Sequence, residues 1–349
     1  MSSPYRVVLT GDMQAADGGP AYPMVELGPL AAAGIATGYL PVPEDKLARA
    51  ADLAAADAII LCECGIAPES LPANGRLGHI ARFGVGFDDI AVAAATEAGV
   101  LVTNAPDGIR RPMAVAILML VFALANRLPD KLRLARQGPE GWARIAETLG
   151  TGLVGRTLGT LGLGSIGSEL MRLAAPFGLR LVAHDPFVAP ERAAALGVEL
   201  VGLEELCRRC DFLAVNCPLN PRTDGLLSAE LLALMPAGAY LVNTSRGRIV
   251  DQAALTAALA ERRIAGAALD VFATEPLPAD DPLTRLDNVL LTPHAVGLTD
   301  QCFAEIGRIN VSAILSLLRG EVPANVVNPA VLEHPAFRRR LERYRAAAR

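Results

Sequence analysis

Three side chains capable of charge or acid–base chemistry each follow a short apolar run in the second half of the chain. They are Arg246, Glu275 and His294. An arginine fork can hold a carboxylate and polarise a neighbouring carbonyl group. A histidine can give or take a proton near neutral pH, and a carboxylate beside it favours its protonated form. These are the groups that reduction of a 2-keto acid to a 2-hydroxy acid requires.

A glycine-rich segment precedes these residues and has the spacing of a dinucleotide-binding turn. Residues 158–167 read LGTLGLGSIG, which fits a strand, a Gly-x-Gly-x-x-Gly turn and the start of a helix. In such a turn Gly162 allows the tight bend, and Gly164 lets the backbone approach a pyrophosphate. Gly167 lets the helix pack on the strand, and the helix N-terminus then faces the phosphates.

Asp185 stands at the end of the next predicted strand. A carboxylate in that place accepts hydrogen bonds from the ribose hydroxyls of a dinucleotide. It also repels the 2′-phosphate of NADP, and no arginine directly follows Asp185. The glycine turn and Asp185 together therefore predict NAD as the cofactor.

The elements that position these residues follow an alternating order. Short apolar runs alternate with helical patterns, which is typical of parallel-sheet α/β domains. An early series of strands is predicted at 6–9, 58–61, 79–83 and 100–103. A second, doubly wound series is predicted at 157–161, 180–184, 212–216, 239–243, 265–269 and 289–291. Long helices are predicted over 112–127, with Pro112 at the start, and over 300–318, and the basic tail 338–349 is predicted to be a solvated helix.

Length and composition exclude several classes of protein. The 349 residues suit two domains, and a hydrophobic content of 52% is ample for two cores. A formal net charge of -5 argues against a nucleic-acid partner. We find no run of about 18 uncharged apolar residues, so no membrane partner is expected. Residues 1–12 lack a signal-peptide pattern, which predicts a cytoplasmic location, and the six cysteines are predicted to be buried thiols rather than metal ligands.

These motifs, in this order and spacing, resemble the D-isomer-specific 2-hydroxyacid dehydrogenases over roughly residues 55–330. The resemblance implies an α/β fold of two domains, each with a parallel sheet flanked by helices. A Rossmann domain, residues 106–297, would be inserted into a discontinuous, flavodoxin-like substrate domain made of residues 1–105 and 298–349. The resemblance also implies an active site in the cleft and a homodimer formed through the long helix.

The resemblance assigns roles to individual residues as well. It implies that Arg246 and His294 bind the substrate, that His294 is the acid–base group and that Glu275 is its partner. The other implied cofactor contacts, besides the glycine turn and Asp185, are Ser165, Ile166, Cys217, Pro218, Thr223, Thr244, Asp270 and Gly297. The resemblance implies no metal ligand.

The N-terminal half supplies the remaining contacts that the resemblance implies. The segment RFGVGFD at 82–88 is similar to the family's GxGxDN segment, and the amides of Gly84, Val85 and Gly86 would bind the substrate carboxylate. The start of the long helix departs from the family pattern, because Arg110 and Arg111 stand in its turn. They indicate either a remodelled contact between domains or subunits, or an arginine that reaches a second anionic group on the substrate. This departure argues against phosphoglycerate dehydrogenase itself.

Two other functions fit part of the pattern. A corepressor-like protein that binds NADH as a signal, without turnover, would keep most of these motifs. A relative acting on formate or phosphite is a further alternative, although formate enzymes have glutamine where Glu275 stands. The leading hypothesis remains an NAD-dependent enzyme that transfers a hydride to or from C2 of a small 2-keto or 2-hydroxy acid.

Overall fold

Two parallel β-sheets organise the chain, one in each of two compact units. The computed structural model describes residues 5–347. The first unit holds the residues up to 109 and those from 299 onward, and the second unit holds residues 110–298. The second unit is thus an insertion in the first. The predicted α/β class with two helix-flanked parallel sheets is confirmed.

The sheet of the first unit has the strand order β2-β1-β3-β4-β5, and all its pairs are parallel. Its strands are β1 Arg6–Thr10, β2 Ala36–Leu40, β3 Ala58–Leu61, β4 His79–Arg82 and β5 Leu101–Thr103. The short helices of this part are α1 Gly28–Ala32, α2 Ala50–Leu53 and α3 Val92–Glu97. Uninterrupted apolar runs such as that of β3, which is fully buried, form a sheet covered on both faces. Because β1 pairs with β2 on one side and β3 on the other, the chain reverses its direction of winding there.

The long helix α4 spans Pro106–Ala125 and begins six residues before the predicted start. The prediction that Pro112 starts this helix is therefore wrong, since Pro112 lies inside it. Close packing fixes the earlier start, because a Cβ on Gly108 would come within 2.9 Å of the backbone nitrogen of Ile306. By length and composition alone α4 could cross a membrane, but 56% of its most apolar window is buried, and core helices meet the same criterion.

The second unit contains the seven-stranded sheet β12-β11-β10-β9-β6-β7-β8, again with parallel pairs. Its helices are α5 Leu128–Arg136, α6 Pro139–Trp142, α7 Ser165–Ala174, α8 Pro190–Ala195, α9 Leu203–Arg209, α10 Ala229–Ala233 and α11 Gln252–Ala260. Its strands are β6 Thr157–Leu161, β7 Arg180–His184, β8 Glu199–Leu200, β9 Phe212–Val215, β10 Tyr240–Asn243, β11 Gly266–Leu269 and β12 Val289–Leu291. This is the predicted doubly wound series with one short edge strand, β8, added.

The chain returns to the first unit through α12, Asp300–Leu318, and ends in α13, Pro335–Ala347. The prediction that residues 338–349 form a solvated helix is wrong for one face, because Arg340 and Leu341 are buried, as is Phe337 just before them, while most of their described neighbours are exposed. The apolar pair lies at the four-residue spacing of one helix face. The Arg340 guanidinium stays satisfied by donating to three backbone carbonyls, those of Gly75, Leu77 and Gly99.

Candidate functional site

The loops after β10, β11 and β12 carry the three predicted reactive residues. These strands are neighbours in the sheet, so their carboxyl ends lie side by side. The loops after β10 and β11 touch, because a Cβ on Gly247 would lie 1.9 Å from the carbonyl carbon of Phe272. Only glycine permits this approach, which brings the loop of Arg246 against the loop of Glu275. The structure therefore brings Arg246, Glu275 and His294 together at one sheet edge.

His294 and Glu275 form a directly bonded pair, with 2.8 Å between Nδ1 and Oε2. The other oxygen of Glu275 accepts the amide hydrogen of Phe272 at 2.9 Å. Burial raises the pKa of Glu275, but these two hydrogen bonds and the Arg246 charge outweigh it and hold the pKa below its ordinary value. An ionised carboxylate only accepts hydrogen bonds. Nδ1 of His294 is therefore the donor, and Nε2 is the nitrogen left for a substrate.

The backbone of His294 adopts a left-handed conformation, with a φ of 52°. Such a conformation costs a residue other than glycine about 1–3 kcal/mol and tends to occur at functional sites. The amide of His294 donates to the carbonyl of Asp270 at 2.8 Å, which fixes the start of the loop. The fold thus holds this imidazole in place at some cost in conformational energy.

The loop of Arg246 is held by a residue that the sequence prediction missed, Asn243. Its side-chain amide donates to the carbonyl of Arg246 at 3.0 Å, and its oxygen accepts from the amide of Ser245 at 3.1 Å. The guanidinium of Arg246 donates to the carbonyl of Ser245 at 2.7 Å. The sequence feature that could have identified Asn243 is its place as a polar residue at the end of an otherwise apolar strand. A buried asparagine there needs hydrogen-bond partners.

Gln252 is a second residue that the prediction missed. Its side-chain oxygen accepts the amide hydrogen of Ala273 at 2.8 Å, within the loop that carries Glu275. Its side-chain nitrogen donates to Asp281 at 3.1 Å. Gln252 begins α11 and so ties the Glu275 loop to that helix. Nothing in the sequence pattern distinguishes it from a solvated helix residue.

The glycine turn has the close contacts that a nucleotide-binding loop requires. Gly162 has a φ of 101°, and a Cβ there would lie 2.8 Å from the amide nitrogen of Cys217. A Cβ on Gly167 would lie 2.2 Å from the carbonyl oxygen of Gly162. Gly164 faces open space, as expected where a backbone approaches a ligand. The first-turn amides of α7, which include those of Ser165 and Ile166, are the free donors of a helix start.

Asp185 lies against this turn at the end of β7. Its carboxylate accepts hydrogen bonds from the amides of Leu163 at 2.8 Å and Phe187 at 2.9 Å. These two bonds leave part of its capacity to accept unused, because a carboxylate offers about four lone-pair sites. In the loop after β9, the hydroxyl of Thr223 donates to the carbonyl of Pro218 at 2.6 Å. The hydroxyl of Ser245, in the loop after β10, donates to the carbonyl of Cys217.

Asp270 has a buried carboxylate oxygen that a donor group of a cofactor would fit. It is buried, and its Oδ1 accepts from Thr292, Ala295 and Val296 at 2.6, 2.9 and 3.1 Å. Its Oδ2 is buried and has no hydrogen-bond partner. A buried acceptor of this kind is costly unless a ligand donor reaches it. The carboxamide or ribose of a dinucleotide carries such donors, so the chemistry of this site fits NAD.

The other two predicted cofactor contacts are packed within the second unit. Thr244 is buried directly after β10. Gly297 lies against α4, since a Cβ there would come within 2.6 Å of the methyl carbon of Met113. Glycine at this position thus serves helix packing, whatever else it contacts.

The predicted substrate segment, Gly84 to Gly86, follows β4 in the first unit. Gly84 has a φ of 140°, which favours glycine. The side-chain amide of Asn104 donates to the carbonyl of Val85 at 2.9 Å, and Arg82 donates to that of Gly86 at 2.8 Å. With these carbonyls engaged, the segment is held by neighbours at the carboxyl edge of its sheet.

Arg111 has a structural contact within the second unit. Its guanidinium donates to Glu169 on α7 at 2.8 Å. The pKa of Glu169 is lowered to about 2 despite its burial. The largest cause is a hydrogen bond from Arg172, and the hydrogen bond from Arg111 lowers it further. This contact packs α4 against α7 within one unit, so it matches neither of the two hypotheses for this arginine.

The cysteines are reduced and mostly buried, as predicted. Cys62 is half-buried and the other five are buried, and burial is the first cause that raises the pKa of each thiol. Cys210 packs against the first strand of the nucleotide unit, since a Cβ on Gly159 would lie 2.0 Å from its sulfur. Within residues 5–347, no group of three or more histidine, cysteine, aspartate or glutamate side chains is placed to hold a metal ion.

Known proteins are similar in sequence to this chain. A family described as D-isomer specific 2-hydroxyacid dehydrogenase, NAD binding domain, matches residues 118–296. The chain is 42% identical over 254 residues to a D-3-phosphoglycerate dehydrogenase of Methanocaldococcus jannaschii, which covers 72% of this chain and 48% of that protein. It is 39% identical over 267 residues to a glyoxylate reductase of Korarchaeum cryptofilum, covering 76% and 80%.

The fold is also similar to that of solved structures. A glyoxylate reductase from Paecilomyes thermophila superposes with a TM-score of 0.79 and 26% identity, covering 93% of this chain and 99% of that one. The chain spans about half the length of the phosphoglycerate dehydrogenases that it matches.

Proposed function

We propose a reaction from the premise that this chain belongs to the D-isomer-specific 2-hydroxyacid dehydrogenase family. The resemblance inferred from the motifs is thereby confirmed. The proposed reaction is the NAD-dependent interconversion of a small 2-keto acid and the corresponding D-2-hydroxy acid. The observation that carries the proposal is the pair of His294 and Glu275, bonded at 2.8 Å beside Arg246 at one sheet edge.

Each of these three residues has a proposed task. Arg246 binds the substrate carboxylate and polarises the C2 carbonyl, for which its planar fork is suited. His294 holds a proton on Nε2 and donates it to the C2 oxygen during reduction, then accepts it in the reverse direction. Glu275 is a positioning residue that fixes the imidazole through Nδ1 and favours its protonated form. The amides of residues 84–86 are proposed to bind the substrate carboxylate.

The second unit is proposed to hold NAD through the residues whose geometry fits it. The glycine turn and the start of α7 bind the pyrophosphate, Asp185 binds the adenosine ribose, and Asp270 accepts a hydrogen bond through Oδ2. The residues Cys217, Pro218, Thr223, Thr244 and Gly297 are proposed to border the same molecule. When bound, NADH supplies the hydride that C2 receives, and NAD takes it back in the oxidation.

Turnover of 2-keto acids with NADH is the test of this proposal. Loss of the NADH absorbance band on addition of glyoxylate, pyruvate, hydroxypyruvate or phosphohydroxypyruvate is the expected result. An assay without the protein, or with heat-denatured protein, gives the background rate. If NADH binds but no acid in the panel is reduced, the chain senses NADH and does not turn it over.

A cytoplasmic location stays a prediction that fits a soluble substrate of this kind.

Asp185 is expected to make the enzyme select NADH over NADPH by at least about tenfold in kcat/KM, which needs only about 1.4 kcal/mol of discrimination. Its negative charge repels a 2′-phosphate, while its free lone pairs accept from ribose hydroxyls. Steady-state kinetics with both cofactors measure this ratio. Asp185→Asn should shrink it several-fold, and equal use of the two cofactors by the unaltered enzyme would contradict the assignment.

We also propose a homodimer formed through exposed apolar side chains of the second unit. Those between residues 115 and 154 are Val115 and Met119 on α4, Leu132 on α5, Trp142 on α6, and Ile145, Leu149 and Val154 on the connection to β6. Leu149 and Val154 are 84% and 86% exposed. Apolar patches of this kind mark protein interfaces.

Leu149→Asp combined with Val154→Asp should convert the dimer to monomer, because two charges would be buried in the interface. Light scattering after size-exclusion chromatography measures the mass. Both side chains are exposed, so the fold of the protomer should survive. Val322→Asp, at an exposed apolar residue of the first unit, is the control and should stay dimeric. A monomeric parent protein would contradict the proposal.

A further inference from the structure

The winding reversal of the first sheet places two loops side by side. The chain leaves β1 at Thr10 and β3 at Leu61, and these strands are neighbours whose carboxyl ends lie at the same edge. In open α/β sheets the crevice at such a point is where ligands bind. The two loops are tied together, because the amide of Cys62 donates to the hydroxyl of Thr10 at 3.0 Å.

Asp12 lies in the first of these loops and has no strong hydrogen-bond donor. Both of its carboxylate oxygens are buried, and neither accepts a hydrogen bond from a nitrogen or hydroxyl group. Gly11 makes the position possible, since a Cβ there would lie 2.4 Å from the carbonyl oxygen of Leu40. A buried carboxylate without donors is strongly unfavourable, and native structures rarely keep one unless a ligand completes it.

The neighbours of Asp12 do not satisfy it. Burial, followed by the Asp12 charge and a side-chain hydrogen bond with Asp12, raises the pKa of the Cys62 thiol well above its ordinary value. The thiol therefore stays neutral, and a thiol is only a weak donor to the carboxylate. Burial, with smaller contributions from Cys62 and Asp12, raises the pKa of the Tyr22 phenol as well. The cation near Cys62 is Arg82, and its guanidinium lies 3.4 Å from Asp89.

The remaining charge on these loops faces solvent. Glu63 is exposed and lies 3.4 Å from the amine of Lys46. This ion pair on the exterior contrasts with the unpaired carboxylate inside. The neighbouring strand, β4, leads into residues 84–86, the segment proposed to bind the substrate carboxylate. A substrate held there would extend its C3 substituent along the same sheet edge.

We propose that Asp12 determines specificity by accepting a hydrogen bond from the side chain of the 2-keto acid. This rests on the proposed function. The substrates it selects carry a donor on the side chain, either a hydroxyl or a cationic group such as a guanidinium. Side chains that end in a phosphate or carboxylate are rejected, because the like charges repel one another in a site screened from water. Alkyl side chains leave Asp12 unpaired and bind less well.

Matched pairs of 2-keto acids test the proposal. Hydroxypyruvate against pyruvate compares a hydroxyl with a hydrogen. Keto acids of similar length, 2-oxo-5-guanidinopentanoate against 2-oxooctanoate, compare a cation with an alkyl group. In at least one pair kcat/KM should favour the donor by at least about tenfold, the scale at which an unpaired buried polar group discriminates. Phosphohydroxypyruvate should be the poorest of the short acids.

The Asp12→Asn variant separates the role of the charge from the intrinsic reactivity of the acids. It keeps the shape and should reduce the donor preference at least fivefold, on the order expected for one charge-assisted hydrogen bond. It should also raise kcat/KM for phosphohydroxypyruvate relative to the other short acids. Glu63→Gln removes a charge from the adjacent loop and is the matched control, with ratios that should match the parent. Without ligand, Asp12→Asn should unfold at a higher temperature, because it removes an unpaired buried charge.

A second measurement keeps this inference distinct from the proposed reaction. In the presence of NAD, D-glycerate should raise the unfolding temperature more than D-lactate does, and Asp12→Asn should erase the difference. The difference in unfolding temperature can be measured even if no keto acid is turned over. A lack of turnover would refute only the proposed reaction and not the role of Asp12. Unchanged substrate and ligand ratios in Asp12→Asn would overturn the inference. So would a fall in the unfolding temperature of the ligand-free variant, which would show a purely structural Asp12.

Discussion

His294→Ala should lower turnover in both directions to near background, a loss on the order of 10²–10⁴-fold. The imidazole is the group placed to move a proton at the C2 oxygen through Nε2, and alanine cannot replace it. NADH binding, followed by fluorescence, should be unaffected, because the glycine turn, Asp185 and Asp270 lie on other loops. Substantial residual turnover with normal KM would show that another group carries the proton.

Glu275→Gln distinguishes a catalytic imidazole from one that merely shapes the loop. Because the pKa of Glu275 is lowered, its carboxylate stays charged at pH values below the ordinary glutamate pKa of about 4.3. Throughout the neutral range it is therefore an anion beside the imidazole, and it favours the protonated form that reduction needs. Glutamine keeps the size and removes this charge.

The rate of reduction should fall as pH rises, because the reduction of a keto acid takes up one proton with the hydride. In Glu275→Gln that fall should occur at lower pH, and at pH 7.5 reduction should suffer more than oxidation. The measurement is the pH profile of kcat in each direction, under conditions where chemistry limits the rate. Profiles that overlay those of the parent would refute the assigned pairing of Glu275 with His294.

Arg246→Lys should lower the reduction of keto acids at least about a hundredfold, the scale of losing one strong charge-stabilising donor. Lysine keeps the charge but has no planar fork, so it cannot bind a carboxylate and polarise a carbonyl with one group. NADH binding should again survive. The measured quantities are kcat and KM for the best acid of the panel.

Arg248→Lys is the matched control for this change. Arg248 lies two residues away, is exposed, and pairs with Asp224. Its replacement should alter turnover by less than a factor of about two, because exposed ion pairs contribute little. Equal losses in the two variants would show that the effect reflects the loop and not the fork.

Most of the strands could be predicted because they are uninterrupted apolar runs buried on both sides. Every predicted strand is present with its ends within one residue of the prediction. The strands that were missed lack such runs. Strand β2 reads ATGYL and lies exposed or half-buried at the edge of its sheet, and β8 has two residues. Their pairing depends on the neighbouring strand, which sequence patterns do not show.

Helix ends and surfaces were harder to predict because tertiary contacts decide them. Pro112 has the chemistry of a helix start, yet packing of Gly108 against Ile306 extends α4 beyond it. Arg340 belongs to a basic run that resembles a solvated helix. It is buried because carbonyls far away in sequence accept its hydrogen bonds.

The reactive residues were predictable because each follows a strand end, where parallel sheets gather their ligand-binding groups. The contacts that hold them were not. The approach of Gly247 to Phe272 and the unpartnered oxygens of Asp12 exist only once the loops are packed. The contact of Arg111 with Glu169 was likewise not predictable, because Glu169 lies far away in the sequence.

Transfer of deuterium is the most direct test of the central claim. The enzyme is given pyruvate or hydroxypyruvate and NADH that carries deuterium at the transferable C4 position, and the product acid is examined by NMR and chiral chromatography. The account predicts one deuterium at C2 of the D-2-hydroxy acid and its loss from the cofactor. Bound NADH with no deuterium at C2, or deuterium in the L-isomer, would contradict it.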